Sequence, residues 1–423
     1  MFLRSIKEKI IYYNFPVFLF SLLPLFLITG PFLADLSILL LSILFLLYCL
    51  KEKDFSFFKN VYFYFFLFFW IYLILNSLLI NYDLNSLKIS FFYFRYAVFV
   101  IAIVTFLTFD DRFLKYFFYC IFFCFSILTI DGFYQYFVGE NLLGWKKVDN
   151  FRITGLFGEE KILGSYLSRL WPIFFGLSIF FFRKKNKLFF IFILIFILSE
   201  ILIFLSGDRT AFFFINLSAI FVILFSSNLL KLRLITLGSS LLLILIISYF
   251  NPIAKQRVIN QTFQQMNIVQ NEKKKNDQIY IFSKQHTELY VAGINIFLDN
   301  KVFGVGVKSF RNFCSDEKYK TRYSCSTHPH NFYLQILVET GVIGFSFLMI
   351  VLFYFFVNIT KHFFRKLNGK ILFSDFEICV LSGIIIFIWP FAPTGSIFNN
   401  WLNIISILYL PFLIWSRKSK ELI

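Results

Sequence analysis

The sequence predicts an all-α, polytopic integral membrane protein, and three observations carry that reading. Of 423 residues, 59% are hydrophobic and only 15% charged, with a mean hydropathy of +0.74. A soluble domain is nearer half apolar and about a quarter charged. Apolar runs long enough to cross a bilayer recur along the chain. Between them, Lys and Arg crowd into every second connection, the charge signature of a membrane topology.

About twelve spans are expected, at roughly 15–30, 34–50, 61–80, 90–109, 114–137, 163–182, 188–205, 211–230, 233–250, 331–357, 376–392 and 399–416. Breakers lie between them: Gly30-Pro31, Gly139, Gly144, Gly207, Asn251-Pro252 and the stretch from Pro390 to Pro393. The organisation expected is nine spans in 1–250, one large polar loop in 251–330 and three spans in 331–423, forming one integrated membrane domain.

Orientation follows from the basic residues. Arg4, Lys7 and Lys9, Lys51 and Lys53, Lys184 and Lys185, Lys231 and Arg233, Lys361 to Lys370, and Arg417 to Lys420 all fall on one side. By the positive-inside rule both termini are cytoplasmic and the 251–330 loop is outside. The loop holds twelve Lys/Arg against six Asp/Glu, which suits an anionic ligand at the membrane surface. The formal charge of +17 is therefore a matter of membrane sidedness and calls for no nucleic acid. Residues 271–277 read as an exposed turn or mobile stretch, and Ser283 to Leu298 as an amphipathic helix lying across the bundle. The excess of Phe, 67 residues, is read as coding bias and given no function.

Two of the four histidines, His328 and His330, fall together where the polar loop meets the tenth span. Pro329 biases His328 toward extended backbone, and Asn331 is a good cap for the helix that follows. His330 thus sits at a helix N-terminus, where free N–H groups favour an anion and a neutral imidazole can take a proton. Glu339 lies inside the span, and an intramembrane carboxylate is a functional candidate. Gly341 and Gly344 stand at i, i+3 and are expected to let helices pack closely.

Arg209, in the turn Ser206-Gly207-Asp208-Arg209, can grip a phosphate with two hydrogen bonds. Arg152 precedes the sixth span, Arg257 follows the ninth, and Arg95 lies within the fourth. Asp131 and Gln135 either bond a sugar or satisfy packing. Cys314 and Cys325 fit a disulfide outside the cytoplasm, while Cys49, Cys120, Cys124 and Cys379 read as packing residues. The sequence shows no Walker loop, Rossmann glycine pattern, paired Asp-X-Asp or zinc motif, so no metal or cofactor is expected and the activated bond must arrive with the substrate.

The run His330-Asn331, nine residues, then Gly341-X-X-Gly344 resembles the signature of the O-antigen ligase and polymerase superfamily of bacterial membrane glycosyltransferases. Arg152 to Phe157, the Ser-Gly-Asp-Arg turn, and the stretch from Trp389-Pro390 through Thr394-Gly395-Ser396 to Trp401 are similar to further family features. The resemblance implies an inner-membrane enzyme that needs no metal. It would transfer a glycan from undecaprenyl diphosphate to a lipid A–core or other glycan hydroxyl at the periplasmic face. It implies His330 as activator of that hydroxyl and Arg209, Arg257 and Arg152 as diphosphate ligands. Read from their own positions, His328, Asn331, Arg95 and Glu339 are supporting candidates. Polymerisation of lipid-linked repeat units is the alternative within the class. A transporter of lipid-linked glycans is the alternative outside it, but that would place charges near the midplane and show internal repeats.

Overall fold

In hydrocarbon every backbone N–H and C=O must be paired within its own segment, so each apolar run forms a helix. The computed structural model describes residues 14–149, 151–182, 186–250, 252–268 and 279–421. The turn expected at 271–277 and the basic residues Arg4, Lys7 and Lys9 lie outside these. The helices are α1 (Asn14–Ser21), α2 (Leu23–Thr29), α3 (Pro31–Glu52), α4 (Val61–Leu79), α5 (Leu84–Phe92), α6 (Phe94–Phe109), α7 (Arg112–Val138) and α8 (Leu163–Phe182). They continue with α9 (Asn186–Leu205), α10 (Arg209–Phe225), α11 (Leu230–Phe250), α12 (Lys284–Asp299), α13 (Phe332–Leu367), α14 (Asp375–Phe387), α15 (Asn400–Ile407) and α16 (Tyr409–Glu421). Short helical turns at Pro252–Lys255, Gln261–Gln265 and Phe310–Phe313 lie in the polar segment.

Among the described residues, seven helices are long and apolar enough to cross a membrane: α3, α4, the joined α5–α6, α7, α8, α11 and α13. Apolar stretches at Phe189–Leu205 and Arg209–Phe225 are shorter. Asn60, Asp83, Asp208, Ser283, Asn331, Ser374 and Asn399 cap helix starts by accepting a backbone N–H three residues on.

Helix α8 is the centre of the bundle: every residue from Leu163 to Ile179 except Ser165 is buried. Helix α4 is its opposite, with only Leu73, Asn76 and Ser77 buried, so its aromatic surface faces outward. Between α9 and α11 lies a fully enclosed ion pair, Arg233 to Glu200 at 2.6 Å. Arg233 also donates to Thr236 and stacks 4.3 Å over the Trp171 ring. The charge count places Arg233 in a basic connection; the structure turns it into the core, because Glu200 one helix away requires a partner.

The polar segment is built on α12. Glu288 accepts from Thr321 Oγ1 at 2.7 Å and Tyr323 N at 2.9 Å, and Asp299 accepts from Tyr319 Oη at 2.6 Å and pairs with Lys318. A Cys314–Cys325 disulfide closes the excursion between them.

Helix α13 is where the fold departs most from expectation. A continuous helix with Gly341 as a packing glycine is expected, but Gly341 has φ +64° and ψ −168° and breaks the helix. The opened backbone is taken up by residues 301–306. Val305 N donates to Val338 O at 2.9 Å, Gly306 N to Glu339 O at 3.0 Å, and Val342 N to Lys301 O at 2.9 Å. A Cβ on Gly341 would collide with the backbone of Val302 and Phe303, so glycine is required twice, by conformation and by contact. Gly344 does serve close approach: a Cβ there would stand 3.1 Å from Tyr72 Cε1 of α4, whose hydroxyl donates to Thr340 O.

Gly341→Ala is expected to cost at least about 1–3 kcal/mol from the left-handed backbone alone, and more from the collision. Gly238→Ala, in α11 with open space around it, is the neutral comparison. Thermal unfolding in detergent should show a lowered Tm and folded yield for the first and not the second; equal values would mean the break is not required.

A histidine and arginine site where the polar segment meets the bundle

Four chain segments converge on the site, and each is fixed by its own hydrogen bonds. The first is the loop after α7. Gln135, fully buried, accepts from Thr154 N and Gly155 N, both at 2.9 Å, and donates to Trp145 O at 3.1 Å. Asp131 accepts from Leu142 N at 2.8 Å, and Asn141 bridges to Gly155 O. Of their two readings, this pair satisfies packing: it shapes the loop rather than facing a sugar. The loop carries Arg152, which pairs with Asp149 at 3.5 Å.

The second segment is the turn before α10. Asp208 caps the helix through Ala211 N, and Gly207 has φ +69°. A Cβ at Gly207 would touch Arg257 Cγ at 3.4 Å, Phe151 at 3.6 Å and Arg152 Cγ at 3.8 Å. The bare glycine is therefore the point around which the two guanidinium stems pack. Arg209 follows at the first turn of α10.

The third segment, after α11, supplies Arg257 and its neighbours. Arg257 donates to Gln261 Oε1 at 2.8 Å. Arg209 donates to Gln265 Oε1 at 2.8 Å and Thr262 Oγ1 at 3.3 Å. Neutral amides and a hydroxyl orient these cations without neutralising them. Burial, and then the charges of Arg152 and Arg209, push Arg257 down to about 10. Phe151, Pro252, Ile253, Gln256, Arg257 and Gln261 line a cavity of about 310 Å³ beside it. Its character is apolar at one wall and cationic at the other.

The fourth segment is the turn from Ser326 to Phe332. Thr394, in the loop before α15, holds it with all three of its polar groups. Its N–H donates to His330 O at 2.8 Å, its hydroxyl accepts from Phe332 N at 2.9 Å, and its carbonyl accepts from His328 Nε2 at 3.2 Å. Asn331 caps α13 through Leu334 N and donates to Pro390 O. Thr327 Oγ1 lies 2.9 Å from His328 Nδ1. His328 is thus buried with both ring nitrogens engaged. His330 is half-buried and has φ +53°, and its Nε2 lies 3.3 Å from Ser326 Oγ. Left-handed backbone at a histidine is costly and collects at functional turns.

These segments bring a third histidine that the sequence reading did not single out. His286, in the first turn of α12, lies 5.8 Å from the His330 ring, centroid to centroid, and His328 lies 4.3 Å from it. Arg209 is close enough to His286 to disfavour its protonation. His286 therefore joins the histidine group to the arginine group. The available signal was its place three residues after a Ser cap at the start of the one amphipathic helix in the loop.

Two expected supporting residues sit elsewhere. Arg95 donates through Nε and Nη2 to Asp35 at 3.1 and 2.8 Å and belongs to an α3–α6–α15 cluster with Tyr96 and Asn400. Glu339 is fully buried and accepts from Lys308 N, Phe310 N and Gln335 Nε2 at 2.9, 3.3 and 3.1 Å. It ties the 305–310 stretch to α13 rather than facing the site. The fourth histidine, His362, bonds Phe225 O and Phe373 N far along α13.

Burial lowers the proton affinity of all three site histidines; His286 and His328 fall to about 4, and His330 falls as well. At neutral pH each is an uncharged imidazole, with a lone pair to offer. An unfolded histidine titrates near 6.5, so between roughly pH 6.5 and 4 the unfolded chain binds more protons than the folded one. Stability is fully present above that window and is lost as pH falls through it. The Tm should drop from pH 7 to pH 4.5. His328→Gln, which keeps an N–H for Thr394 O and does not titrate, should make the slope shallower; an unchanged slope would mean His328 titrates normally.

No curated protein matches the chain. Residues 190–349 match the family model described as O-antigen ligase. The matched segment takes in Arg209, Arg257, His286, His330 and the Gly341 break, so over these residues the chain is similar to the O-antigen ligase family.

Proposed function

We propose that the chain is a membrane glycosyltransferase of the ligase type. It would move a glycan from undecaprenyl diphosphate to a lipid A–core sugar hydroxyl, at the periplasmic face of the bacterial inner membrane. In this reading the chain crosses twelve times, both termini are cytoplasmic, and the 251–330 loop is periplasmic. One observation supports it above the others. A neutral, half-buried His330 lies 5.8 Å from the His286 ring, which in turn feels the charge of Arg209, one of a group of guanidiniums whose orienting partners are mostly uncharged. That is a base next to a seat for a diphosphate.

The step balances as follows. The acceptor hydroxyl oxygen attacks the anomeric carbon of the donor sugar, and its proton passes to His330. The bond from that carbon to the diphosphate oxygen breaks, and its electron pair stays on the departing undecaprenyl diphosphate. If His330 Nε2–H donates to Ser326, the Nδ1 lone pair is the base. General-base assistance of this kind contributes about 10²–10⁴-fold. Arg209 and Arg257 stabilise the charge that grows on the leaving group, at a place where fixed donors need no reorganisation. Arg152, partly engaged by Asp149, adds to the field. The cavity beside Arg257 offers an apolar wall for the lipid end of the donor.

The test is made in cells whose own copy of the gene is deleted. His330→Ala should give a folded protein and no transfer, leaving bare core and accumulated lipid-linked polymer. Normal long-chain ladders would sink the catalytic assignment, and core bearing a single repeat unit would identify a polymerase instead. Arg209→Lys should lose about tenfold or more, because one charge-assisted bond of the fork is lost; full activity would make Arg209 an interfacial anchor. With purified donor and acceptor, transfer should survive EDTA, since guanidiniums supply the leaving-group stabilisation; a metal requirement would overturn this mechanism.

A further inference from the structure

We infer that His286 is a second catalytic histidine, a hydrogen-bond donor to the oxygen that joins the donor sugar to its diphosphate. The inference rests on the glycosyl-transfer reading above and adds to it a residue and a role. Three observations carry it.

The first is position. His286 lies 5.8 Å from His330, ring to ring, and close enough to Arg209 for that charge to act on it. The bond to be broken must be reached both by the base that activates the acceptor and by the cations that hold the diphosphate. A residue near both is placed to reach it.

The second is tautomer. Ser283 Oγ accepts the His286 backbone N–H as a helix cap, at 3.3 Å, and lies 2.8 Å from His286 Nδ1. The cap uses a lone pair of the hydroxyl and leaves its proton free for Nδ1. An imidazole that accepts at Nδ1 carries its own proton at Nε2. With the Ser283 hydroxyl donating to Nδ1, the tautomer this inference takes, His286 is a donor at Nε2 and a poor base for the acceptor hydroxyl, because its lone pair is engaged. In the proposed arrangement His330 then presents a lone pair and His286 an N–H.

The third is support. The His286 ring is bracketed edge-on by Phe282 and Tyr290, at 6.2 and 6.3 Å between centroids. Helix α12 is in turn docked on α13 and tied down through Glu288 and Asp299. A donor aimed at a developing oxyanion is worth most when its direction is fixed in advance. In the transfer step its proton is shared with the leaving oxygen and is not given up. The electron pair remains on the diphosphate, so the balance of the reaction is unchanged.

The test compares His286→Leu, His286→Gln and His330→Gln in the deletion background. Leu keeps the apolar contacts with Phe282 and Tyr290 but has no N–H; it should lower transfer by about 10²–10³-fold. Gln places an amide N–H near the Nε2 position and should restore most of that loss at 286. It should restore nothing at 330, where a lone pair of sufficient basicity is needed. Undecaprenyl diphosphate binding by the purified protein in nanodiscs should be unchanged by His286→Leu and weakened by Arg209→Ala. Wild-type transfer with His286→Leu, or failure of Gln to rescue, overturns the assignment while an inactive His330→Gln leaves the glycosyl-transfer reading standing. Normal transfer with His330→Gln overturns that reading itself. Loss of undecaprenyl diphosphate binding with His286→Leu would make His286 a positioning residue of the anion seat and also overturn the donor role.

Discussion

The 301–310 part of the polar segment is referred to the membrane bundle through the break at Gly341. A helix opened in its interior leaves N–H and C=O groups without partners, and in a buried place each one costs free energy. Here residues 301–306 fill those places, with Val305, Gly306 and Lys301 bonded to Val338, Glu339 and Val342. Glu339 adds a carboxylate that gathers Lys308 N and Phe310 N. The 301–310 stretch cannot slide along α13 without leaving these groups unpaired. The disulfide then carries this register from Cys314 to Cys325, five residues before His330. His330 is thus located from two directions, by its own helix start and by the docked loop.

The second constraint is electrostatic. Arg152, Arg209 and Arg257 repel one another, and the partial burial of Arg257 makes that repulsion stronger than at an open surface. The chain accepts the cost at one turn, around Gly207, and orients Arg209 and Arg257 with Gln261, Thr262 and Gln265 rather than with carboxylates. The contrast with the rest of the molecule is clear. Arg95 has Asp35 and Arg233 has Glu200, each at hydrogen-bonding distance. Arginines that hold the fold together are matched closely with acids; at Gly207, Arg152 has Asp149 at 3.5 Å while Arg209 and Arg257 are held by neutral side chains.

What was legible in the sequence follows from what one-dimensional patterns encode. Apolar length marks the helices because hydrocarbon allows little else. The Ser283 start of α12 and the Asn331 start of α13 were readable because caps are local chemistry. Arg209, Arg257 and Arg152 were singled out, and the structure brings them to one turn. The misses are of another kind. Gly341 and Gly344 share a spacing that reads as helix packing, yet only Gly344 serves it; the break at Gly341 is dictated by a backbone forty residues earlier. Arg233 counts as a basic loop residue until Glu200, on another helix, claims it. His286 stands forty-four residues from His330, and no local pattern announces that α12 folds back to meet α13. Thr394 was visible only as part of a resemblance, because its three bonds to residues 328–332 reach across the whole of α13 and α14 in sequence.

The proximity of histidines and arginines also sets when the base is strong. Burial holds the imidazoles neutral, with the His330 and Arg209 charges adding to it at His286, which keeps a lone pair available but makes the protonated form costly. A base that cannot keep its proton is a weak one. On the proposed reading, a diphosphate seated among Arg152, Arg209 and Arg257 would reverse the local sign, since it would bring negative charge close to the same imidazoles and raise their proton affinity. His330 would then be a better base with a donor in place than without one. In the absence of donor the site would activate a hydroxyl less well, and water and stray acceptors would be spared. The arginines of the proposed site would then do more than hold the leaving group: oriented mainly by amides and a hydroxyl, they would make the reactivity of His330 depend on the presence of the substrate.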